Sequence, residues 1–199
     1  MKLTLIIILL LVLFFAGGYI IRVPKQNNTQ PSNPNSNHVA EVGLPAGSVI
    51  FSPADIALVP GNDWQQISSG QFTDVQSICL PVLKGEGQNI GSLIQVFSTR
   101  TSSDPKAAID ILKKEVEADS NTVKGTFKQE EFVSIYRVPV VHASYDYVSK
   151  GSIISKKFRA HVYFVQNKRL KCIAIQYITL RDNDSTRVDQ MIHDTLRWN

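Results

Sequence analysis

Between Phe158 and Leu180 the chain alternates apolar and polar residues through two successive runs, and a period of two is the signature of strands. Phe158, Ala160, Val162 and Phe164 interleave with Arg159, His161 and Tyr163. After the turn-forming run Gln166-Asn167-Lys168-Arg169, the alternation resumes from Cys172 to Leu180. Successive strand side chains point to opposite faces, so this segment predicts a β-hairpin.

The rest of the region after residue 47 reads around that hairpin. Val49-Ile50-Phe51 and Ile56 to Val59 predict short strands broken by Pro53 and Pro60. Pro60-Gly61-Asn62-Asp63 has turn chemistry, with Trp64 just beyond it. Ile78 to Leu83 predicts a strand whose Pro81 calls for an edge or a bulge, paired as a hairpin with Ile90 to Thr99. Ser102-Ser103-Asp104-Pro105 is a helix start, and Ala108, Ile109, Ile111, Leu112 and Val116 recur at helical spacing, predicting a helix over 105–118. Phe132 to Val138 and Val140 to Val148 have strand composition, separated by Pro139. Arg181 to Ser185 offers a cap, and Val188, Met191, Ile192, Thr195 and Leu196 form the apolar stripe of a closing helix. Strands joined mainly by hairpins and interrupted by helices predict an α+β fold, a largely antiparallel sheet covered by helices.

Ahead of this region, Leu3 to Ile21 is a nineteen-residue stretch without charge, fourteen of its residues being Leu, Ile, Val or Phe. As a helix it would reach roughly 28 Å, close to one hydrocarbon core. Two readings stay open: a retained transmembrane anchor, and a signal peptide cleaved near Ala16-Gly17-Gly18. Residues 22–46, rich in Asn, Pro and Ser, hold too few apolar groups to offset the entropy of ordering and read as a flexible linker. The expected organisation is therefore an anchor or signal over 1–21, a linker over 22–46 and one globular domain over 47–199. The expected location is a cell membrane, with a single pass and the C-terminal domain extracytoplasmic, periplasmic or equivalent; cleavage would release that domain into the same compartment. The net charge of +4 overstates the domain's balance. Lys2, Arg22, Lys25 and Glu41 precede it, so the 21 basic and 17 acidic residues become 18 and 16, or +2. That balance predicts no general attraction to nucleic acid.

Three stretches give the domain a resemblance to the PsbP-like family, which includes the extrinsic PsbP subunit of photosystem II, a Ran-binding nuclear-transport factor and exported bacterial proteins of the DcrB kind. Ile56-Ala57-Leu58-Val59-Pro60 followed by Trp64 resembles the family's opening strand, proline turn and tryptophan. Ala160 to Val165, the turn Gln166 to Arg169, and Ile173 to Tyr177 resemble its central hairpin. Met191-Ile192 to Thr195-Leu196-Arg197 resembles its closing helix. The resemblance implies an α/β/α sandwich and a binding or assembly role in a larger complex. Nothing matches the cofactor-organising residues of the plant subunit, and no cofactor is expected.

Catalytic signals are few. There is no Gly-x-Ser-x-Gly, and Cys79 and Cys172 sit in apolar strand-like runs, where a thiol stays protonated. In an oxidising compartment the two permit one disulfide; as small buried hydrophobes they need none. His142, His161 and Asp146 contain the ligand types for zinc. However, His142 and Asp146 on one strand face lie about 13 Å apart, so no metal site is expected from this trio. Gly85-x-Gly87 lacks the rest of a phosphate loop. Of the basic residues around the central hairpin, Lys157 and Lys168 fall at opposite ends, about 25 Å apart, and form no single patch. The expectation is a non-catalytic module that binds an unidentified protein partner, with Trp64 as the interface candidate. The alternative is a small-ligand module using a cleft between sheet and helix.

Overall fold

In the computed structural model the described residues are 44–52, 54–67, 78–99, 102–150, 155–180 and 186–199. The predicted anchor over 1–21 and the linker as far as residue 43 lie outside them. No helix among the described residues is long and apolar enough to cross a membrane.

Ten strands and two α-helices make up the described residues: β1 (Val49–Phe51), β2 (Ile56–Leu58), β3 (Trp64–Ile67), β4 (Ile78–Gly85), β5 (Leu93–Ser98), α1 (Pro105–Ala118), β6 (Lys128–Val133), β7 (Pro139–Lys150), β8 (Ser155–Gln166), β9 (Cys172–Leu180), α2 (Thr186–Thr195) and β10 (Arg197–Trp198). Seven strands form one antiparallel sheet in the order β3-β4-β5-β9-β8-β7-β6, and β1-β2-β10 form a second, smaller one. The fold is α+β and dominated by its antiparallel sheet, as the alternation predicts.

Register divides the large sheet into two faces. His142 pairs with Tyr163 and Tyr163 with Ile175, so Val140, His142, Tyr163, Val165, Ile173, Ile175 and Tyr177 share a face. Val188, Ile192 and Leu196 close over it together with Phe51, Ile56 and Leu58 of the small sheet, making the principal core. The opposite face carries Tyr145, Tyr147, Phe158, Val162 and Phe164. It is covered by α1, which packs on β7, β8 and β9 and buries Ala108, Ile109, Leu112 and Val116. The start of α1 is fixed chemically. The Asp104 carboxylate accepts from the backbone N–H of Lys106 and Ala107 at 3.1 and 3.3 Å, and Pro105 follows as the first helical residue.

Local chemistry explains the irregularities. Pro81 cannot donate to a ladder, and the β4–β5 register shifts between Cys79 and Leu83 around it. At Gly85 a Cβ would stand 2.1 Å from the Asn89 carbonyl oxygen, so only glycine allows the chain to turn back there. The strand composition of Phe132 to Val138 is realised differently from expectation. The strand is Lys128–Val133, an exposed edge strand rich in charge, and residues 134–138 form the turn into β7. An edge strand that covers the core only through half-buried Phe132 carries no apolar alternation.

Candidate functional site

Two places in the domain carry more than packing. The first is the β6–β7 corner. Val133, Ile135 and Tyr136 are 55, 60 and 45% exposed, three large apolar side chains within four residues. They are held outward by a rigid turn. Ser134 N–H donates to the Val138 carbonyl at 2.9 Å, and its hydroxyl donates to the Leu196 carbonyl at 3.0 Å and accepts from Val138 N–H at 3.1 Å. Ile135 N–H donates to the His193 carbonyl at 2.9 Å, and the Arg197 guanidinium lies 3.9 Å from the centre of the Tyr136 ring. Beside the corner is a cleft of about 490 Å³, lined by Pro105, Phe132, Val133, Pro139, Val140 and Trp198, among others. A Lys106–Glu131 ion pair of 2.9 Å sits at its lip, both partners well exposed.

The second place is a buried polar cluster on the core face. His142 and His161 come from β7 and β8, and their rings are 5.2 Å apart and within 14° of parallel. His142 Nε2 and His161 Nδ1 are 3.1 Å apart and share a hydrogen bond, while His142 Nδ1 is bonded to a Glu130 carboxylate oxygen at 2.8 Å. From α2, Asp189 places a carboxylate oxygen 3.6 Å from His161 Nδ1 and accepts a hydrogen bond from the Tyr163 hydroxyl. Tyr163 stacks on His142 at 4.4 Å, and the Tyr177 ring lies 5.6 Å from His161. The His161 Nε2 atom and the Tyr177 hydroxyl are buried without a hydrogen-bond partner among the described residues. Burial, followed by the neighbouring His142 and Arg159 charges, lowers the His161 pKa to about 3, so this imidazole is neutral at physiological pH. Burial likewise pushes the Tyr163 hydroxyl well up, with the Asp189 charge adding to it.

The residues singled out from the sequence fall into different settings. The diagonal placement of His142 and His161 across the β7–β8 pair brings them together, with His161 opposite Ser144 and His142 opposite Tyr163. Asp146 does not join them; its carboxylate takes the Arg159 guanidinium at 2.8 Å. The carboxylates beside the histidines belong to Asp189 and Glu130, which sequence reading did not place there. Glu130 lies opposite His142 on β6, a strand without alternation, and Asp189 arrives through the docking of a helix. No local pattern signals either.

Trp64 is half-buried on β3 and meets Tyr177 edge-to-face at 6.2 Å, so it covers the core more than it offers a surface. Cys79 and Cys172 are free, buried thiols on opposite faces of the large sheet, an arrangement that holds no disulfide. Burial raises both to about 11, which removes them as nucleophiles at neutral pH. Three basic residues of the central hairpin have separate partners: Arg169 with Asp55 at 2.8 Å, Lys168 with the Asn199 carbonyl at 2.8 Å, and Arg159 with Asp146.

No protein-family model matches the chain, and no curated protein does. The domain is similar to a crystal structure from Bacteroides thetaiotaomicron VPI-5482, at 12% identity and a TM-score of 0.48. That likeness covers 77% of this chain and 48% of the other, so the chain spans about half the length of the structure it resembles.

Proposed function

We propose that this protein is a membrane-tethered, extracytoplasmic binding and assembly module, non-catalytic, that docks a protein partner on the Val133–Tyr136 corner. The observation that carries this reading is the corner itself. Three large apolar side chains are exposed together on a turn that is already bonded to the His193 carbonyl of α2 and to the Leu196 carbonyl just beyond it. A preformed apolar surface loses little entropy when a partner covers it, and exposed apolar groups gathered in one place mark interaction sites. The neighbouring cleft suits an apolar side chain from the partner. Within this reading the domain is of the PsbP-like α/β/α kind, supported by a helix on each face of the antiparallel sheet. The tether is the apolar run Leu3 to Ile21, which has the length and composition for it.

A photoreactive phenylalanine analogue placed at Ile135 in the full chain, in its native membrane, tests the docking reading. A discrete adduct is expected at position 135 and none at Ile90, which is 69% exposed at the far end of the sheet. Absence of an adduct at 135, or equal adducts at both positions, overturns it.

A second reading, a small-ligand module, draws on the cleft volume of about 490 Å³, within the range of ligand sites. Lys106→Trp, at an exposed position of the lining, would obstruct the cleft while leaving Ile135 and Tyr136 exposed. A bound small molecule that is lost in this variant, with no adduct at position 135 in either chain, favours the second reading over the first.

A further inference from the structure

We propose that His142, His161 and Asp189 bind a divalent transition-metal ion of the zinc class. Each offers one donor atom, and the three atoms lie within 4.8 Å of one another. Two of the three edges are measured directly: His142 Nε2 to His161 Nδ1 is 3.1 Å, and His161 Nδ1 to an Asp189 carboxylate oxygen is 3.6 Å. Zinc bonds to nitrogen and oxygen of about 2.0–2.2 Å set a tetrahedral ligand–ligand edge of about 3.3–3.6 Å, close to both of these distances. A shared proton explains the histidine pair. The Asp189 carboxylate, bonded to the Tyr163 hydroxyl, stands 3.6 Å from the same His161 nitrogen, beyond a hydrogen bond and close to a ligand–ligand edge.

The surroundings prepare the donors. Glu130 accepts from His142 Nδ1, which leaves the Nε2 lone pair turned toward the triad; the proton of the histidine pair then sits on His161 Nδ1, and ion binding requires that nitrogen to give it up, to His161 Nε2 or to solvent. This is the carboxylate–histidine arrangement that orients metal-bound imidazoles. The Tyr163 hydroxyl holds the Asp189 carboxylate in the same way. Two imidazoles and one carboxylate, without thiolate, select zinc and its neighbours over calcium or magnesium, which take oxygen shells. The histidine side chains are 8 and 6% exposed and that of Asp189 is 40%, so an ion enters from the helix side. Once bound, it fastens α2 to β7 and β8. The inference does not rest on the docking reading, because no residue of the triad belongs to the exposed corner.

The test uses the full chain in mild detergent, without a polyhistidine tag, titrated with Zn²⁺ in competition with a chromophoric chelator and separately with Co²⁺. One ion per chain is expected, with the intense visible absorption of four-coordinate Co²⁺ and a rise in thermal midpoint on adding Zn²⁺. His161→Gln and Asp189→Asn should each abolish the spectrum and the rise, and Glu130→Gln should weaken binding about tenfold. Asp189→Asn is the variant that keeps the test decisive, since it is nearly isosteric and half-exposed. His193→Ala removes the exposed His193–Asp194 pair, a competing surface site of 2.8 Å, and should change nothing. Absence of stoichiometric binding overturns the proposal. So does binding that survives Asp189→Asn, or binding that is lost in His193→Ala.

Discussion

Cys79 and Cys172 have thiols pushed from 9.0 to about 11, and Tyr145, Tyr147 and Tyr163 are raised as well, in every case chiefly by burial. These shifts share one sign. Each group is an acid whose neutral form the fold prefers, so it has no effect on stability while folded and unfolded chains are both protonated. Above pH 9.0 the unfolded thiols ionise and the folded ones do not until about 11. Stability is therefore lost as pH rises through that window, with the tyrosines adding to the loss above 10. The expected outcome is a urea midpoint for residues 45–199 that is flat from pH 7 to 9 and falls steadily to pH 11. Replacing both cysteines with alanine should make the fall shallower between 9 and 11; an unchanged slope would show that the thiols ionise equally in both states. The same burial that silences these groups makes His161 neutral, and that neutrality is what a ligand needs.

The β8–β9 hairpin shows how one buried side chain ties two elements together. Asn167 is 3% exposed. Its carbonyl oxygen accepts from Arg169 N–H at 3.0 Å and Lys171 N–H at 2.9 Å, closing the turn in which Leu170 takes a φ of 57°. Its amide donates to the Ala54 carbonyl at 3.2 Å, which joins the hairpin to the loop between β1 and β2. Asn167→Ala leaves the Ala54 carbonyl buried and unpaired and should cost about 2–3 kcal/mol. For a domain of this size that is a fall in Tm of roughly 5–10 °C. Asn167→Asp keeps the turn acceptor but not the donor and should fall between the two. Equal Tm values for all three chains would mean that the turn closes without this residue. The turn was readable from Gln166 to Arg169, and helix α1 was readable over the same bounds that the structure gives it, because alternation, helical spacing and a capping Asp-Pro are local signals. Strand β6 was not, because an edge strand with only one half-buried side chain, Phe132, shows no such pattern.

At the scale of the whole molecule, residues Pro45–Asn199 form one compact unit whose two cores lie on either side of a single sheet. The proposed tether makes a prediction for the full chain. It should stay with the membrane pellet through alkaline carbonate extraction, whereas a chain starting at residue 47 should be released. Recovery of the full chain in the soluble fraction would remove the tether from the reading. The sequence by itself determined both α-helices, the strands that alternate or run apolar, the turn between β8 and β9, and a largely antiparallel sheet, because period and turn chemistry act over a few residues; β3, β6 and β10 it did not mark. Only the tertiary structure decided which of those residues meet. Alternation fixes the residues of one strand that share a face, but long-range pairing fixes which faces of different strands coincide. The β5–β9 register, with Val96 opposite Ile175, sets Cys79 on the core face and leaves Cys172 on the other. The docking of α2 brings Asp189 to histidines 28 and 47 positions earlier in the chain. Those distances in sequence carry no periodic trace, and the energy that closes them comes from burying Val188, Ile192 and Leu196 rather than from the polar groups they carry into place.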